Sequence, residues 1–361
     1  MKIAQVSPLY ESVPPRYYGG TERVVSYLTE ELVRQGHDVT LFASGDSITS
    51  ARLIPCSERS LRLDKNCTDS LAHHFVMLNR VFEASMDFDI IHFHVDYLHF
   101  PFSRQLGAPH ITTLHGRLDI PDLVPVYREF SHVPIVSISD SQRAPLPFAN
   151  WQATVYHGLP EDLYRFEEKP GDYLAFLGRI SPEKRVDRAV EIARRLGMKL
   201  KVAAKIDKSD LEYYKTVKSL IEDPIVEFLG EIGEAEKSEF LGNAYAFLFP
   251  IDWPEPFGLV MIEAMACGTP VIAFRKGSVE EVIDDGVTGF IVDSVEEAAA
   301  AVSKVETLDR QRCRQVFENR FSASRMADGY LSLYQRLLES EAESYVSFQR
   351  EIESDTLVNS Q

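Results

Sequence analysis

Two glutamates eight positions apart, Glu255 and Glu263, are the residues of this sequence whose setting points most directly to chemistry. They lie in the stretch EPFGLVMIEAMACGTPVIAF, residues 255–274. Glu255 is flanked by prolines and precedes Gly258, which leaves the start of a predicted helix bare and approachable. Glu263 lies inside that apolar helix, where an ionised carboxylate is costly without a partner. Sugar hydroxyls are suitable partners for a carboxylate, and a buried ion pair with an arginine is the alternative.

Arg179 and Lys184 could supply the complementary positive charge. Both lie in LGRISPEKRVD, which follows a predicted strand and leads into the next helix. Two fixed cations at a helix N-terminus would hold a pyrophosphate well, because the helix dipole also favours an anion there. A solvated surface pair is the alternative, but the position directly after a strand favours a ligand site.

A pair of glycines, Gly19 and Gly20, precedes another predicted helix in the loop SPLYESVPPRYYGGTERV. Glycines let the backbone approach a ligand closely, and the helix N-terminus favours an anion; a flexible turn is the alternative. A dinucleotide-binding fold requires G-x-G-x-x-G at this place, and the loop lacks it. Asp46, after the second strand, is therefore interpreted as a loop residue rather than a ribose-binding acid.

These loops are positioned by a chain of 361 residues, long enough for two domains, with 45% hydrophobic and 26% charged residues. The net charge of −17 argues against a nucleic-acid partner, while peripheral membrane contact stays open. No stretch has the 18 or so apolar residues of a membrane span. The four cysteines form no C-x-x-C pair, which argues against structural zinc and a disulfide framework: Cys56, Cys67, Cys267 and Cys313. Since the start MKIAQVSPLY is too short and polar for a signal peptide, we expect a cytoplasmic protein.

Alternating strand and helix patterns run twice along the chain. In residues 1–160 the strands KIAQV, HDVTLFAS, DIIHFHV, HITTLHG and PIVSISD alternate with helices, the first of which Thr21 could cap. In residues 161–320 the strands DYLAFLGRI, KLKVAAK, AYAFLFP, PVIAF and GFIVDS repeat the pattern. The fold class is therefore α/β, with two Rossmann-like doubly wound domains that face each other across a cleft. A helical region at 321–345 and a polar, frayed tail at 346–361 complete the prediction.

These stretches resemble one large family. EPFGLVMIE, with AMACGTPVIA after it, is similar to the E-x7-E signature of retaining, nucleotide-sugar-dependent glycosyltransferases of the family-4 type, which have the GT-B fold. GGTERV, TLHG, GRISPEKRVD and EEVIDDGVTGF extend the resemblance over nearly the whole chain. The start PPRYYGGTERV is similar to the branch that includes glycosyltransferases of avilamycin-type antibiotic assembly.

The resemblance implies roles for individual positions. Glu255 would bind hydroxyls of the donor sugar, and Glu263 the ribose of the nucleotide. Arg179 and Lys184 would neutralise the pyrophosphate, and His115, in TLHG, would face the donor sugar. The other donor-binding positions form the two helix starts: Gly19, Gly20, Phe257, Gly258 and Leu259. The chain departs from the family pattern at His157-Gly158, where the family often has Asn-Gly, and at GSVEE, residues 277–281, where it commonly has Gly-Gly-x-Pro-Glu. The second departure puts the local turn geometry and the donor-side contact there in question, although Glu281 matches.

Two further motifs admit a metal, and we favour a structural interpretation of each. DFD, residues 87–89, fits the D-x-D pattern by which another glycosyltransferase fold holds a divalent ion, but it precedes a strand, where Asp turns the chain. His92 and His94 share one strand face and His99 follows, yet no carboxylate or cysteine stands at ligand spacing. We therefore expect core or cleft histidines and no metal.

The sequence thus predicts an enzyme that transfers a hexose from a nucleotide diphosphate sugar, with UDP favoured, to an acceptor hydroxyl, with retention of configuration and no cofactor. The acceptor and the oligomeric state stay open. Two alternatives are a GT-B epimerase acting on the nucleotide sugar and a non-catalytic nucleotide-sugar binding protein.

Overall fold

The computed structural model describes residues 1–16 and 19–358, with side chains through residue 340. Within these residues two separate sheets form, one of seven strands and one of six, and every strand pair is parallel. Parallel strands need crossover connections, and helices supply most of them here. The predicted α/β class with two Rossmann-like domains is confirmed.

The first sheet has the strand order β3-β2-β1-β4-β5-β6-β7. Its strands are β1 (Lys2–Val6), β2 (Asp38–Ser44), β3 (Arg52–Ser57), β4 (Ile90–Phe93), β5 (His110–Thr113), β6 (Ile135–Ser137) and β7 (Trp151–Thr154). Its helices are α1 (Gly20–Arg34), α2 (Ser70–Glu83), α3 (Leu123–Glu129) and α4 (Asp140–Arg143), with short 3-10 helices at Ser85–Asp87 and Phe100–Gln105.

The second sheet has the order β10-β9-β8-β11-β12-β13. Its strands are β8 (Tyr173–Arg179), β9 (Lys199–Lys205), β10 (Val226–Gly230), β11 (Ala244–Phe249), β12 (Val271–Phe274) and β13 (Gly289–Val292). The helices are α5 (Val186–Leu196), α6 (Leu211–Ile221), α7 (Glu234–Gly242), α8 (Leu259–Ala266), α9 (Val279–Val282), α10 (Val295–Val302), α11 (Arg310–Arg320) and α12 (Ala323–Val358), with 3-10 helices at Lys208–Asp210 and Val305–Thr307.

Three strands were not predicted, and all three lie at sheet edges: β3 and β7 in the first sheet and β10 in the second. A central parallel strand is covered on both faces and has a nearly continuous apolar sequence, whereas an edge strand is less covered and lacks that sequence pattern. β3 carries Pro55, which an edge strand tolerates because one side of its backbone is unpaired. Their partly exposed residues give no clear period.

Helix ends follow the sequence signals in one case and depart from them in another. Gly197 ends α5 with a left-handed backbone, the conformation that favours glycine at a helix C-terminus. Thr21 does not cap α1: the helix begins one residue earlier, at Gly20, and Gly19 occupies the cap position without a side-chain hydrogen bond. The predicted cap was wrong because the flexible backbone of Gly19 and Gly20 allows the helix to begin before Thr21.

The chain crosses between the domains twice, and the crossings pair with each other. Leu159 N–H donates to Phe321 O at 2.9 Å, and Ala323 N–H donates to Leu159 O at 2.8 Å. α12 then lies against the first domain, where Tyr330 and Tyr334 are completely buried. The helix continues to Val358, and residues 359–361 lie outside the described residues. The boundary at 345 and the frayed tail stay predictions.

One hydrophobic cluster joins the two domains. It includes Ile3 and Leu28 of the first domain, Phe257 and Ile262 of the second, and Tyr330 of α12. The two domains are therefore packed against each other at the base of the cleft, in addition to being joined by the chain crossings. Among the described helices, none is both long and apolar enough to cross a membrane.

Candidate active site

A cavity of about 640 Å³ lies between the carboxyl ends of the two sheets. The wall includes every residue that the sequence analysis assigned to the site: Gly19, Gly20, His115, Arg179, Lys184, Glu255, Phe257, Gly258, Leu259 and Glu263. Because ligands of open α/β sheets bind outside the carboxyl ends of the strands, this convergence is what the predicted topology requires. Their roles toward a ligand stay predictions.

The start of α8 is shaped by glycine geometry. Gly258 has φ 80°, a left-handed backbone in which a side chain is strained, and an added Cβ would lie 2.8 Å from Met261 Cε. The loop before it is held by Ser278, whose N–H donates to Glu255 O at 3.0 Å and whose hydroxyl donates to Phe257 O at 2.8 Å. Gly277, at φ 58°, lets this turn approach the Glu255 backbone, so the GSVEE departure still supports the loop.

Glu255 and Lys184 contact each other. Lys184 Nζ pairs with Glu255 Oε2, and Trp253 Nε1 donates to the same oxygen at 2.9 Å. The Lys184 side chain is 20% exposed and the Glu255 side chain is 11% exposed, so the pair is partly shielded from water. The resemblance gave these residues separate partners, a sugar hydroxyl and a phosphate. In this structure Lys184 and Glu255 neutralise each other, so a ligand that contacts one of them would contact an ion pair rather than an isolated charge.

Glu263 is 2% exposed and accepts from Lys237 Nζ at 2.9 Å through Oε1. The partner is thus a lysine from α7, whereas the sequence offered an arginine as the ion-pair alternative. The second oxygen, Oε2, is buried and has no hydrogen-bond partner. Since an unsatisfied buried acceptor costs about 1–3 kcal/mol, this oxygen is a natural contact for a ligand hydroxyl.

Arg179, at the end of β8, is also compensated. Its Nε lies 3.0 Å from Asp210 Oδ2, and its Nη2 lies 3.7 Å from Glu183 Oε2. The arginine side chain keeps 32% exposure. Each cation predicted to hold a pyrophosphate therefore already has a carboxylate neighbour, and an incoming anion would have to share the cation or displace that neighbour.

The N-termini of α1 and α8 face each other across the cavity. A Cβ added to Gly20 would lie 3.9 Å from Leu259 Cδ1, so the first residues of the two helices are near contact. Glu11 lies beside Gly19 and Glu22 lines the cavity, and they are 4% and 5% exposed. Burial raises the pKa of each carboxyl, against the effect of Arg62, which pairs with Glu11 at 2.9 Å. The sequence gave no signal for this acidic pair.

His115 belongs to a hydrogen-bonded chain that begins in α12. Its Nε2 lies 2.8 Å from His94 Nδ1, and His94 Nε2 lies 2.8 Å from Gln5 Oε1. Gln5 Nε2 donates to the Tyr334 hydroxyl at 3.3 Å. The Tyr334 hydroxyl lies 2.7 Å from His92 Nδ1, which connects the chain to the sheet interior.

The orientation of the Gln5 amide assigns the hydrogens along this chain, and the bond lengths agree with it. A 2.8 Å contact suits N–H···O, whereas 3.3 Å is long for O–H···O, so the Gln5 oxygen faces His94. His94 then donates from Nε2 and accepts at Nδ1, and His115 must donate from Nε2. Burial lowers the pKa of His115 to about 3, so its ring is neutral and Nδ1 is a bare acceptor. Nδ1 has no hydrogen-bond partner within the described residues.

His157 and Glu281, at the two departures from the family pattern, both connect the domains. The His157 ring stacks on His115 with centroids 5.2 Å apart and meets the edge of Phe257 at 4.9 Å. Glu281, in α9, accepts from the backbone N–H groups of Asp140 and Ser141, each at 2.7 Å. Glu281 is therefore an interdomain contact and does not line the cavity.

The motifs that resembled metal sites have structural partners, as predicted. Asp89 Oδ2 accepts from Lys2 N–H at 2.7 Å, and Asp87 ends a 3-10 helix. His92 Nε2 contacts Thr113 Oγ1 at 2.7 Å, and His99 Nε2 contacts Thr112 Oγ1 at 2.9 Å. Asp46, interpreted as a loop residue, accepts from Ser60 N–H at 2.9 Å. In the part of the chain that the structure describes, no group of three His, Cys, Asp or Glu side chains is arranged for a metal ion.

Several charged residues on the wall were not assigned from the sequence, among them Arg23, Glu234 and Lys237. Glu234 and Lys237 lie in EAEKSEFLG, a helix so rich in charge that it looks like a solvated surface. Arg23 lies within GGTERV, a stretch in which only the two glycines were assigned to the site. Only the packing of α1 against α7 brings the three together, and no local pattern could have shown it.

The sequence matches two family descriptions that together span both domains. Residues 18–151 match "Glycosyltransferase Family 4", and residues 164–320 match "Glycosyl transferases group 1". The first covers the glycine loop and His115, and the second covers the two glutamates with Arg179 and Lys184.

Individual relatives agree with these matches. The D-inositol 3-phosphate glycosyltransferase of Mycolicibacterium smegmatis is 30% identical over 203 residues, which span 52% of this chain and 43% of that relative. The solved structure of AviGT4, a glycosyltransferase involved in avilamycin A biosynthesis, superimposes with TM-score 0.72 at 24% identity and covers 94% of this chain and 98% of its own. HepE of Anabaena, solved with UDP and glucose, has TM-score 0.69 at 17% identity and covers 95% and 100%. The structural likenesses show the fold, and the avilamycin-type branch stays a prediction. The chain belongs to the family-4-type glycosyltransferases of the GT-B fold.

Proposed function

We propose that this glycosyltransferase moves a hexose from a nucleotide diphosphate sugar, preferably a UDP-sugar, to an acceptor hydroxyl with retention of anomeric configuration. The observation that carries the proposal is the unpartnered, buried Oε2 of Glu263 in a cavity whose wall also holds Arg179 and Lys184. A carboxylate that lacks a donor, close to cations that suit phosphate, matches the ribose and pyrophosphate of a nucleotide. The UDP complex of HepE favours uridine among the bases.

The ligand would lie across the cavity. Glu263 would accept from the ribose, while Arg179, Lys184 and the start of α8 would hold the pyrophosphate. The donor sugar would then reach toward Glu255 and His115, which lie on opposite domains. The bare Nδ1 of His115 can accept a hydrogen bond but cannot donate one, so its partner would be a sugar hydroxyl.

The reaction would proceed by front-face attack. The acceptor oxygen forms a bond to the anomeric carbon as the bond from that carbon to the phosphate oxygen breaks. The departing phosphate oxygen takes the acceptor proton, and the nucleotide diphosphate leaves. Arg179 and Lys184 would stabilise the negative charge that develops on the leaving group. Contact between the domains would exclude water and limit hydrolysis.

Donor turnover tests the proposal. The purified protein is incubated with a panel of UDP- and GDP-sugars, and the release of nucleotide diphosphate with free sugar is measured by chromatography. A slow leak from one donor is expected of a transferase without its acceptor. An isomerised nucleotide sugar would instead identify an epimerase, and tight binding with no turnover a binding protein. Failure of every donor to raise the melting temperature would contradict the proposal.

A further inference from the structure

Four charged side chains on the cavity wall, Arg23, Glu234, Lys237 and Glu263, form one connected group, which we call the four-charge cluster. Two are cations and two are carboxylates, so the cluster balances its own charge. Arg23 comes from α1 in the first domain, and the other three come from α7 and α8 in the second. The cluster therefore joins the domains beside the carboxylate assigned to the ribose.

Lys237 lies between the two carboxylates. Its Nζ is 2.9 Å from Glu263 Oε1 and 3.4 Å from Glu234 Oε2. The lysine side chain is 13% exposed, so water screens these contacts little. Because Lys237 occupies Oε1 of Glu263, Oε2 is the oxygen left for a ligand. The lysine thus decides how the Glu263 carboxylate is presented.

Glu234 pairs with a cation from each domain. Its Oε2 pairs with Arg23 Nη1 as well as with Lys237, and its Oε1 accepts from the Tyr164 hydroxyl. Burial raises the pKa of Glu234, but Lys237 and Arg23 outweigh burial and the net shift is downward. Glu234 is therefore an ionised group that draws on both cations. Without Arg23, Lys237 would be the single cation paired with the Glu234 carboxylate among these four residues.

We propose that Lys237 is a positioning residue that holds Glu263 for the ribose of the bound nucleotide, and that Arg23 supports this arrangement by occupying Glu234 when the domains are in contact. This inference rests on the nucleotide binding proposed above. It makes ribose recognition depend on the first domain, although Glu263, the residue assigned to the ribose, belongs to the second.

The first test measures ribose recognition through Lys237. Calorimetry gives the affinities of UDP and GDP and of their 2′,3′-dideoxy counterparts, and the ratio of the two affinities reports contacts to the ribose hydroxyls. Since hydrogen bonds to a charged group are being lost, we expect about a tenfold or larger ratio in the wild type for the base that binds better. Lys237→Gln should bring the ratio close to one, and Lys237→Arg, which keeps the charge, should retain it. Lys215→Gln, an exposed lysine in α6, is the matched control and should leave the ratio unchanged.

The second test uses Arg23 and a suppressor. Arg23→Met should lower the ratio, because Glu234 then draws Lys237 away from Glu263. Adding Glu234→Gln to Arg23→Met should restore the ratio, because the competing carboxylate has gone. Arg34→Met, an exposed arginine on the same helix, is the control. A merely structural role for Arg23 would make the double variant no better than the single one.

The outcomes separate this inference from the proposed function. If neither nucleotide diphosphate binds, or the wild type does not distinguish the dideoxy forms, the nucleotide site itself is wrong. If the wild type distinguishes them and Lys237→Gln distinguishes them equally, the positioning role of Lys237 is overturned. If Lys237→Gln does not fold, which the melting temperature shows, failure of the double variant to recover the ratio still overturns the inference.

Discussion

Lys184 of the β8–α5 loop and Glu255 of the loop before α8 form an ion pair inside the cavity. The pair ties the group expected to hold the pyrophosphate to the group expected to bind the sugar. It also keeps both side chains oriented before any ligand arrives, because each supplies the other's countercharge. Preorganised charge of this kind acts in the transition state without reorganisation.

Glu255→Gln should lower turnover and leave nucleotide diphosphate affinity at least equal to that of the wild type. The amide loses the charged acceptor for the sugar, while Lys184 is released from its partner and meets the phosphates fully. Initial-rate kinetics and calorimetry with the nucleotide diphosphate measure the two effects. Wild-type turnover in this variant would make Glu255 a loop carboxylate with no part in the reaction.

Glu263→Ala should weaken the donor and the free nucleotide diphosphate equally, by about 1.5–3 kcal/mol, because both carry the ribose. Lys237 still has Glu234 at 3.4 Å, so the substitution does not leave a buried cation alone. Calorimetry with both ligands measures the loss. A change confined to the donor would place Glu263 against the sugar instead.

Transfer should survive metal chelation, since Arg179 and Lys184 are the cations assigned to the pyrophosphate. Turnover is measured after dialysis against EDTA and again after magnesium or manganese is added. Equal rates are expected in all samples. Loss of transfer in EDTA with recovery in manganese would overturn the metal-free reaction.

The buried histidines should make the protein acid-labile. Burial holds the pKa of His92, His94 and His157 well below 6.5, and that of His115 at about 3. Below about pH 6.5 the unfolded chain binds protons that the native state does not. The free energy of unfolding should therefore fall as the pH falls from about 6.5, by up to about 1.4 kcal/mol per pH unit for each such group.

His157→Asn isolates one of these contributions. Denaturant unfolding between pH 7.5 and 5 should show a shallower decline in this variant, by up to about 1.4 kcal/mol per pH unit below pH 6. His73→Asn, at an exposed position on α2, should keep the wild-type decline. Parallel curves for the wild type and His157→Asn would show that His157 is protonated in the native state.

A nucleotide diphosphate sugar should make the molecule more compact. The cavity walls come from both domains, so an anion that bridges Arg179, Lys184 and the Gly19–Gly20 helix start favours domain contact. Small-angle scattering should show a fall in radius of gyration on saturation, and the nucleoside without phosphates should produce none. An unchanged radius with confirmed binding would mean that the free protein is already closed.

The local residue pattern was enough to locate the elements that carry the site. Central parallel strands are buried on both faces, so they read as apolar runs, and the loops that follow them can be located from the residue pattern alone. Glycine placement and the E-x7-E spacing then selected Gly258, Glu255 and Glu263. Three of the four edge strands in the two sheets, β3, β7 and β10, were not recognised because they lack that double burial. The start of α1 shifted because backbone freedom at two glycines outweighed a threonine cap.

Which charged side chains pair depends on how the helices pack in three dimensions. Lys237 and Glu263 are 26 positions apart, and Arg23 and Glu234 are 211 apart, so their pairing follows from how α1, α7 and α8 pack and from no local rule. The same holds for His115, whose proton position depends on Tyr334 of a helix that crosses from the other domain. Residue types and periods are local properties of the chain, whereas ion pairing and proton placement depend on neighbours that only folding brings within hydrogen-bonding distance.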